Sequence, residues 1–487
     1  MPSHTESSPL LPLPSPVFTP TRVYYLDNLR TVLVALLIVH HAALTSTASA
    51  SSESGSVERR IEQRILGVFT TTNEAFLWSA FYLVSGCSSS LAHAKASGNT
   101  NANENANGNT NSANANPNPN AISNGSTNPT TPNTNTTANP HLTFLKDHPL
   151  PHATHALVWS TLGRTALAQV LTSTSAGQAI FGGRKQLEAH LSGPAAYLAL
   201  LVVLDCVHVC VRALRLGSGS GTPRMWVSLT RVRGWGGFVV ALAGVGLVVC
   251  TYLNVTEGCT GTFKFPDVLV SALDRPLPDA PLSCIIAYTI GAHWLTIKAS
   301  LSPTPTPISR LIFPFVLAAS YTFLTLLSLL SPSISRYIQP DRAKPPLALP
   351  PPSSLTPVPR GRTLPHAGPN AHTLAFILWD VLTSLILPLA LLWLFSSSSS
   401  ASLLRRPWAV RSQGTWKKGY ALTYVHMVPV LVVRKVLSGV GMRMGELVRV
   451  GVVVAVALVM AWGVVRGVEV VVGRVVRVVG LVRRRWR

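Results

Sequence analysis

Apolar runs of about twenty residues recur along this chain, and no other feature constrains its fold as strongly. They lie at about 24–46, 66–92, 194–214, 234–254, 281–301, 309–331, 372–396, 416–437 and 446–466. A weaker run at about 155–182 holds Arg164 and several Thr and Ser. A hydrocarbon core of about 30 Å takes about 20 helical residues to cross. Inside it every backbone N–H and C=O must be satisfied within the structure, which favours helices over open sheets. The expected fold is therefore all-α: a polytopic α-helical membrane protein with about ten transmembrane helices.

Composition agrees. Only 12% of the residues are charged and 47% are hydrophobic, whereas a soluble domain carries about 25% charged residues. The net charge of +22 would suit nucleic acid, but its distribution excludes that reading. Lys and Arg fall in short loops between apolar runs and at the C-terminus, as membrane topology and anionic leaflets require. With the N-terminus in the cytosol, the loops near 215–233 and 397–418 and the Arg-rich C-terminus are cytosolic. The loop near 255–280 then lies outside and follows the glycosylation sequon Asn254-Val255-Thr256. The loops near 47–65 and 332–371 also lie outside, although they carry several Arg. Residues 1–21 are rich in Ser and Pro and lack the apolar core of a signal peptide, so the first apolar run is expected to act as a signal anchor.

Four segments differ in composition from the apolar runs of the membrane domain at 22–466, two flanking it and two within it. Residues 1–21 read as a disordered tail. The insert at 96–140 runs in Asn, Thr, Ala and Gly and cannot bury enough surface to fold. The loop at 339–370 is Pro-rich and extended. Residues 467–487 form a basic tail with Arg at roughly helical spacing, which reads as an interfacial amphipathic segment and not an eleventh span. The six cysteines are scattered with no Cys-x-x-Cys, so no metal site is expected. Cys206 and Cys210, one turn apart, are expected to be small packing residues.

The first apolar run carries the chemistry. It reads Leu26-Asp27-Asn28-Leu29-Arg30, nine apolar or small residues, then His40-His41. Ionisable groups in a spanning helix are costly and mark functional sites. Eleven steps of 100° bring Arg30 and His41 onto one face, roughly 16 Å apart along the axis. Asp27 lies an i,i+3 step before Arg30, and His40 points about 80° away from Arg30. His41 has two readings, a general base of near-neutral pKa or a packing imidazole bonded to a neighbouring helix. Arg30 and Asp27 either orient a site and hold an anionic group or snorkel to the cytosolic surface. In the second run, Asn73 and Glu74 form an unexpected polar pair that faces the stripe or binds helices together. Ser85 and Gly86 suit close helix packing. Tyr424 and His426 line an acceptor pocket or anchor a helix at the interface.

The segment LDNLRTVLVALLIVHHAAL resembles the first helix of the acyltransferase-3 family, integral-membrane acyl-CoA-dependent acyltransferases, and especially its fungal branch. Arg30 and His41 match the family's Arg-x10-His motif, whose His is taken as catalytic. Further segments resemble family motifs in order: Asn73 to Gly86, His141 to Asp147, Ser192 to Asp205, Cys284 to Trp294, and Gly419 to Val432. Together they cover about residues 22 to 466. The resemblance implies transfer of an acyl group, expected to be acetyl, from acyl-CoA to a hydroxyl of a glycan, lipid or hydrophobic metabolite. Acyl-CoA is a co-substrate, and no cofactor is implied. His41, Arg30 and Asp27 would be catalytic; His40, Asn73, Glu74, Tyr424 and His426 would bind substrate.

The chain departs from the family where His148 and Pro151 stand in place of two arginines suited to coenzyme A phosphates. Arg164 and Lys146 are the expected substitutes. Ala196 stands where the family has Trp. Two alternatives therefore stay open: a catalytically degenerate member, and a transporter or permease with an intramembrane His/Arg relay.

Overall fold

The computed structural model describes residues 23–49, 57–96, 140–181, 184–191, 193–217, 248, 281–300, 308–331, 334–335, 371–397, 404, 426–440 and 445–485. In chain order the helices are α1 (Tyr24–Ser49), α2 (Val57–Ala96), α3 (Pro140–Asp147), α4 (Pro149–Val158), α5 (Arg164–Thr172), α6 (Ser175–Phe181), α7 (Arg184–Leu191) and α8 (Gly193–Gly217). They continue as α9 (Pro281–Ala292), α10 (Trp294–Ser300), α11 (Ile308–Leu330), α12 (Ala371–Ser397), α13 (Met427–Gly439) and α14 (Glu446–Arg485).

Among the described residues, five stretches are long and apolar enough to cross a membrane: Tyr24–Ser46, Arg60–Ala94, Leu311–Leu330, Ala371–Ser396 and Glu446–Val464. The chain is a multi-pass, α-helical integral membrane protein. The expected run at 234–254 lies outside the described residues apart from Val248, and so does the first part of 416–437. α8 is a 25-residue helix over the expected 194–214 run, but it is not one of the five. The 281–301 run is divided at His293 between α9 and α10.

The weaker run at 155–182 is not one helix. α4 passes through a wider π turn, Trp159–Gly163, into α5, and the helical path breaks at Ser173 and Thr174 before α6. Hydroxyl side chains compete here for backbone carbonyls: Thr161 Oγ1 donates to Leu157 O at 2.7 Å, and Ser173 Oγ to Val170 O at 2.8 Å. At the C-terminus α14 runs as one helix of 40 residues through the expected span and on into the basic tail.

α2 is the centre of the bundle. It packs along α9, α12 and α1, while α11 lies on α12, and α13 and α14 close against α1. The crossing of α2 and α9 needs two glycines. A Cβ on Gly86 would lie 2.1 Å from Tyr288 O, and one on Gly291 would lie 2.0 Å from Leu83 O. Small residues at such a crossing let two backbones approach, the main source of helix association where lipid removes the hydrophobic drive. The core around them is built from Leu29, Leu33, Ile38, Leu77, Tyr82 and Leu83, each 1% exposed or less. Hydrogen bonds pin the outer helices. Trp379 Nε1 donates to Ser320 Oγ at 2.9 Å between α12 and α11. Glu62 Oε2 accepts from the Glu446 N–H at 2.7 Å and caps the start of α14.

Candidate functional site

The polar stripe of α1 is paired as its spacing predicts at one end. Arg30 Nη1 lies 3.5 Å from Asp27 Oδ1, with both side chains about one-fifth exposed (21% and 20%). The second arm of the guanidinium donates to Ser88 Oγ, so Arg30 ties α1 to α2. Beside it, buried Asn28 donates its Nδ2 to Leu404 O at 2.8 Å.

Farther along α1, His41 is half-buried and His40 buried, their ring centroids 5.4 Å apart. His426, buried at the start of α13, brings its ring to 5.1 Å from that of His41. A residue from the far end of the chain thus meets the His of the Arg-x10-His spacing. Tyr424 lies outside the described residues. Asn73 is buried on α2, and its Nδ2 finds no partner among the described residues; Glu74 beside it is half-buried. α1 and α2 run antiparallel and meet at Arg30 and Ser88.

A second polar centre was not singled out by the sequence reading. Asp205 on α8 is fully buried. Its Oδ1 accepts from Tyr288 Oη on α9 at 2.5 Å and from Ser89 Oγ on α2 at 2.6 Å. Its Oδ2 faces His148 Nδ1 at 3.6 Å, and Phe144 stacks on the His148 ring at 5.2 Å. Alongside, His93 Nε2 and His141 Nδ1 are 3.2 Å apart, and the His208 ring stands edge-on to His93 at 6.2 Å. Ser85 Oγ and Tyr197 Oη are bonded at 2.7 Å one turn away. Ser88, which holds Arg30, and Ser89, which holds Asp205, are neighbours, so the two centres share the wall of α2. The signal for Asp205 was present in the sequence. A lone carboxylate inside an apolar run carries the same cost that drew attention to Arg30.

The residues expected at the coenzyme A end divide. Lys146 is exposed in the last turn of α3. Arg164 folds back onto its own helix, donating Nε to Ser160 O at 3.0 Å. His148, where the resemblance leads one to expect an arginine, is the residue that reaches Asp205. On α4, which follows His148, His152 is pushed down to about 4, first by burial and then by the neighbouring His148. Cys206 and Cys210 are exposed on α8, which corrects the expectation that they pack inside. Ser85 and Gly86 are interior packing and bonding positions, as expected. Among the described residues no cluster of three His, Cys, Asp or Glu side chains is arranged to hold a metal ion.

Compared with family models, with characterised proteins and with solved structures, the chain finds no match.

Proposed function

We propose that this protein is a membrane-bound O-acyltransferase that moves an acyl group, in the first instance acetyl, from acyl-CoA to a hydroxyl of a glycan, lipid or hydrophobic metabolite. The observation that carries this reading is the meeting of His41 with His426 at 5.1 Å, on the helix face that also bears Arg30. An imidazole beside a second imidazole, inside a bundle with a mostly apolar core, is suited to take a proton from a hydroxyl. In the reaction proposed, His41 accepts the hydroxyl proton as that oxygen bonds to the thioester carbonyl carbon. The C–S bond breaks, and the proton passes to the departing sulfur. Arg30, held by Asp27 and Ser88, is oriented to meet negative charge on the donor. His40, Asn73, Glu74 and Tyr424 are assigned to the acceptor side, Lys146 and Arg164 to the donor side.

This reading carries a topology of about ten spans with both ends cytosolic. It places the 96–140 insert in the cytosol, so its sequons at Asn124 and Asn135 should stay unglycosylated in cells. Transfer from labelled acetyl-CoA by the purified protein, with total lipid and glycan extracts as acceptors, tests the activity. One observation favours a second reading, a permease: the buried Asp205 stands beside the bonded pair His93 and His141, a grouping suited to relay protons. Proton-coupled uptake without acyl transfer would establish that reading. A member of the family fold that has lost activity would show neither.

A further inference from the structure

α14 is too long for the role of a span. Forty residues at 1.5 Å each make a rod of about 60 Å, twice a hydrocarbon core of about 30 Å. Its apolar stretch ends at Val464. At that boundary Trp462 is 57% exposed, and the Arg466 guanidinium lies over its ring at 5.7 Å. An aromatic and a cation together mark an interface level. Beyond it the helix continues with Arg466, Val470, Arg474 and Arg477 all exposed. Arg466, Arg474 and Arg477 fall within about 80° of one another around the helix. By sequence spacing, positions 468, 471, 475, 479 and 482, all Val, fall on the other side, while Val470 lies among the arginines. One acid, Glu469, stands against the six arginines between 466 and 485.

Two glycines sit at the boundary, and packing does not explain them. A Cβ on Gly463 or Gly467 would meet nothing within 4 Å, unlike Gly86 and Gly291. Glycine within a helix costs stability and gains backbone freedom. Here that freedom falls where the chain leaves the hydrocarbon.

We propose that residues 467–485 form an arm that bends at Gly463–Gly467 and lies along the membrane surface, its arginines on anionic phospholipid headgroups and its valines in the upper acyl region. The partner is lipid, because the charge is predominantly positive, with Glu469 the one acid, and the apolar side is made of small branched residues at acyl-chain depth. Each arginine near an anionic surface strengthens such binding about fivefold. The arm therefore senses the anionic content of its leaflet.

The test is amide hydrogen exchange of the full-length protein in nanodiscs of phosphatidylcholine alone and of phosphatidylcholine with phosphatidylserine. Exchange within 467–485 should slow about tenfold or more in the anionic discs, while 446–464 exchanges equally in both and reports that the bundle is intact. About 0.5 M salt should reverse the slowing, and so should Arg474→Gln with Arg477→Gln. Gly463→Ala with Gly467→Ala should weaken it by stiffening the bend. Equal exchange in both discs, or slowing that survives salt and the arginine changes, would overturn lipid docking. Full slowing in the alanine pair would overturn the hinge.

Discussion

The rings of His41 and His426 lie 5.1 Å apart, centroid to centroid, joining α1 to α13. If His41 is the base, His426 shapes its position and its proton affinity. We expect His426→Phe to keep the protein folded, because the ring volume is held, and to lower turnover by about 10- to 100-fold, within the usual range for acid–base assistance. The pH–rate profile should move as well. A variant with a changed KM and an unmoved profile would make His426 a substrate contact only.

Asp205 joins α2, α8 and α9 through Ser89 and Tyr288. Asp205→Ala leaves two buried hydroxyls without their acceptor, at a cost of about 2–5 kcal/mol. Tyr288→Phe removes one bond and costs about 1 kcal/mol. Thermal denaturation of the detergent-solubilised protein checks the order. Equal tolerance of both changes would show that the carboxylate is not a fastening between these helices.

At the crossing of α2 and α9, Gly86→Ala and Gly291→Ala each drive a methyl group against a backbone carbonyl. Each should destabilise by about 1–3 kcal/mol. Gly451→Ala on α14, where the new methyl meets nothing within 4 Å, should be neutral or slightly stabilising. Denaturation midpoints of the three variants make the comparison internal.

His148 stands where an arginine was expected, 3.6 Å from the Asp205 carboxylate. His148→Arg places a permanent cation beside that buried acid and a bidentate group at the proposed donor end. The expected outcome is a lower KM for acetyl-CoA with little change in turnover. An unchanged KM would assign donor binding to Lys146, Arg164 or another residue.

How much of this was readable in the sequence differs from element to element. α1 was legible because one short segment holds both its apolar faces and its charged stripe, and Asp27 and Arg30 pair at the spacing that makes them neighbours. Gly86 was legible as a packing residue, although its partner Gly291 on α9 was not, because helix contacts between distant segments leave no local pattern. The 155–182 run misled because length and hydropathy do not register a π turn or hydroxyls that bond the backbone. Asp205 was overlooked although its cost in an apolar helix was visible. Its partners, Tyr288 and Ser89, lie on two other helices and emerge only when the bundle is assembled. His426 could be named as a pocket residue, but its contact with His41 depends on how α13 closes over α1.

The most direct measurement of the central claim is single-turnover transfer from radiolabelled acetyl-CoA by purified wild type, His41→Ala and His40→Ala. The account predicts labelled product with the wild type, loss of about 100-fold or more in His41→Ala with insertion and fold intact, and a milder loss in His40→Ala. Full activity in His41→Ala, or equal loss in both variants, would contradict it.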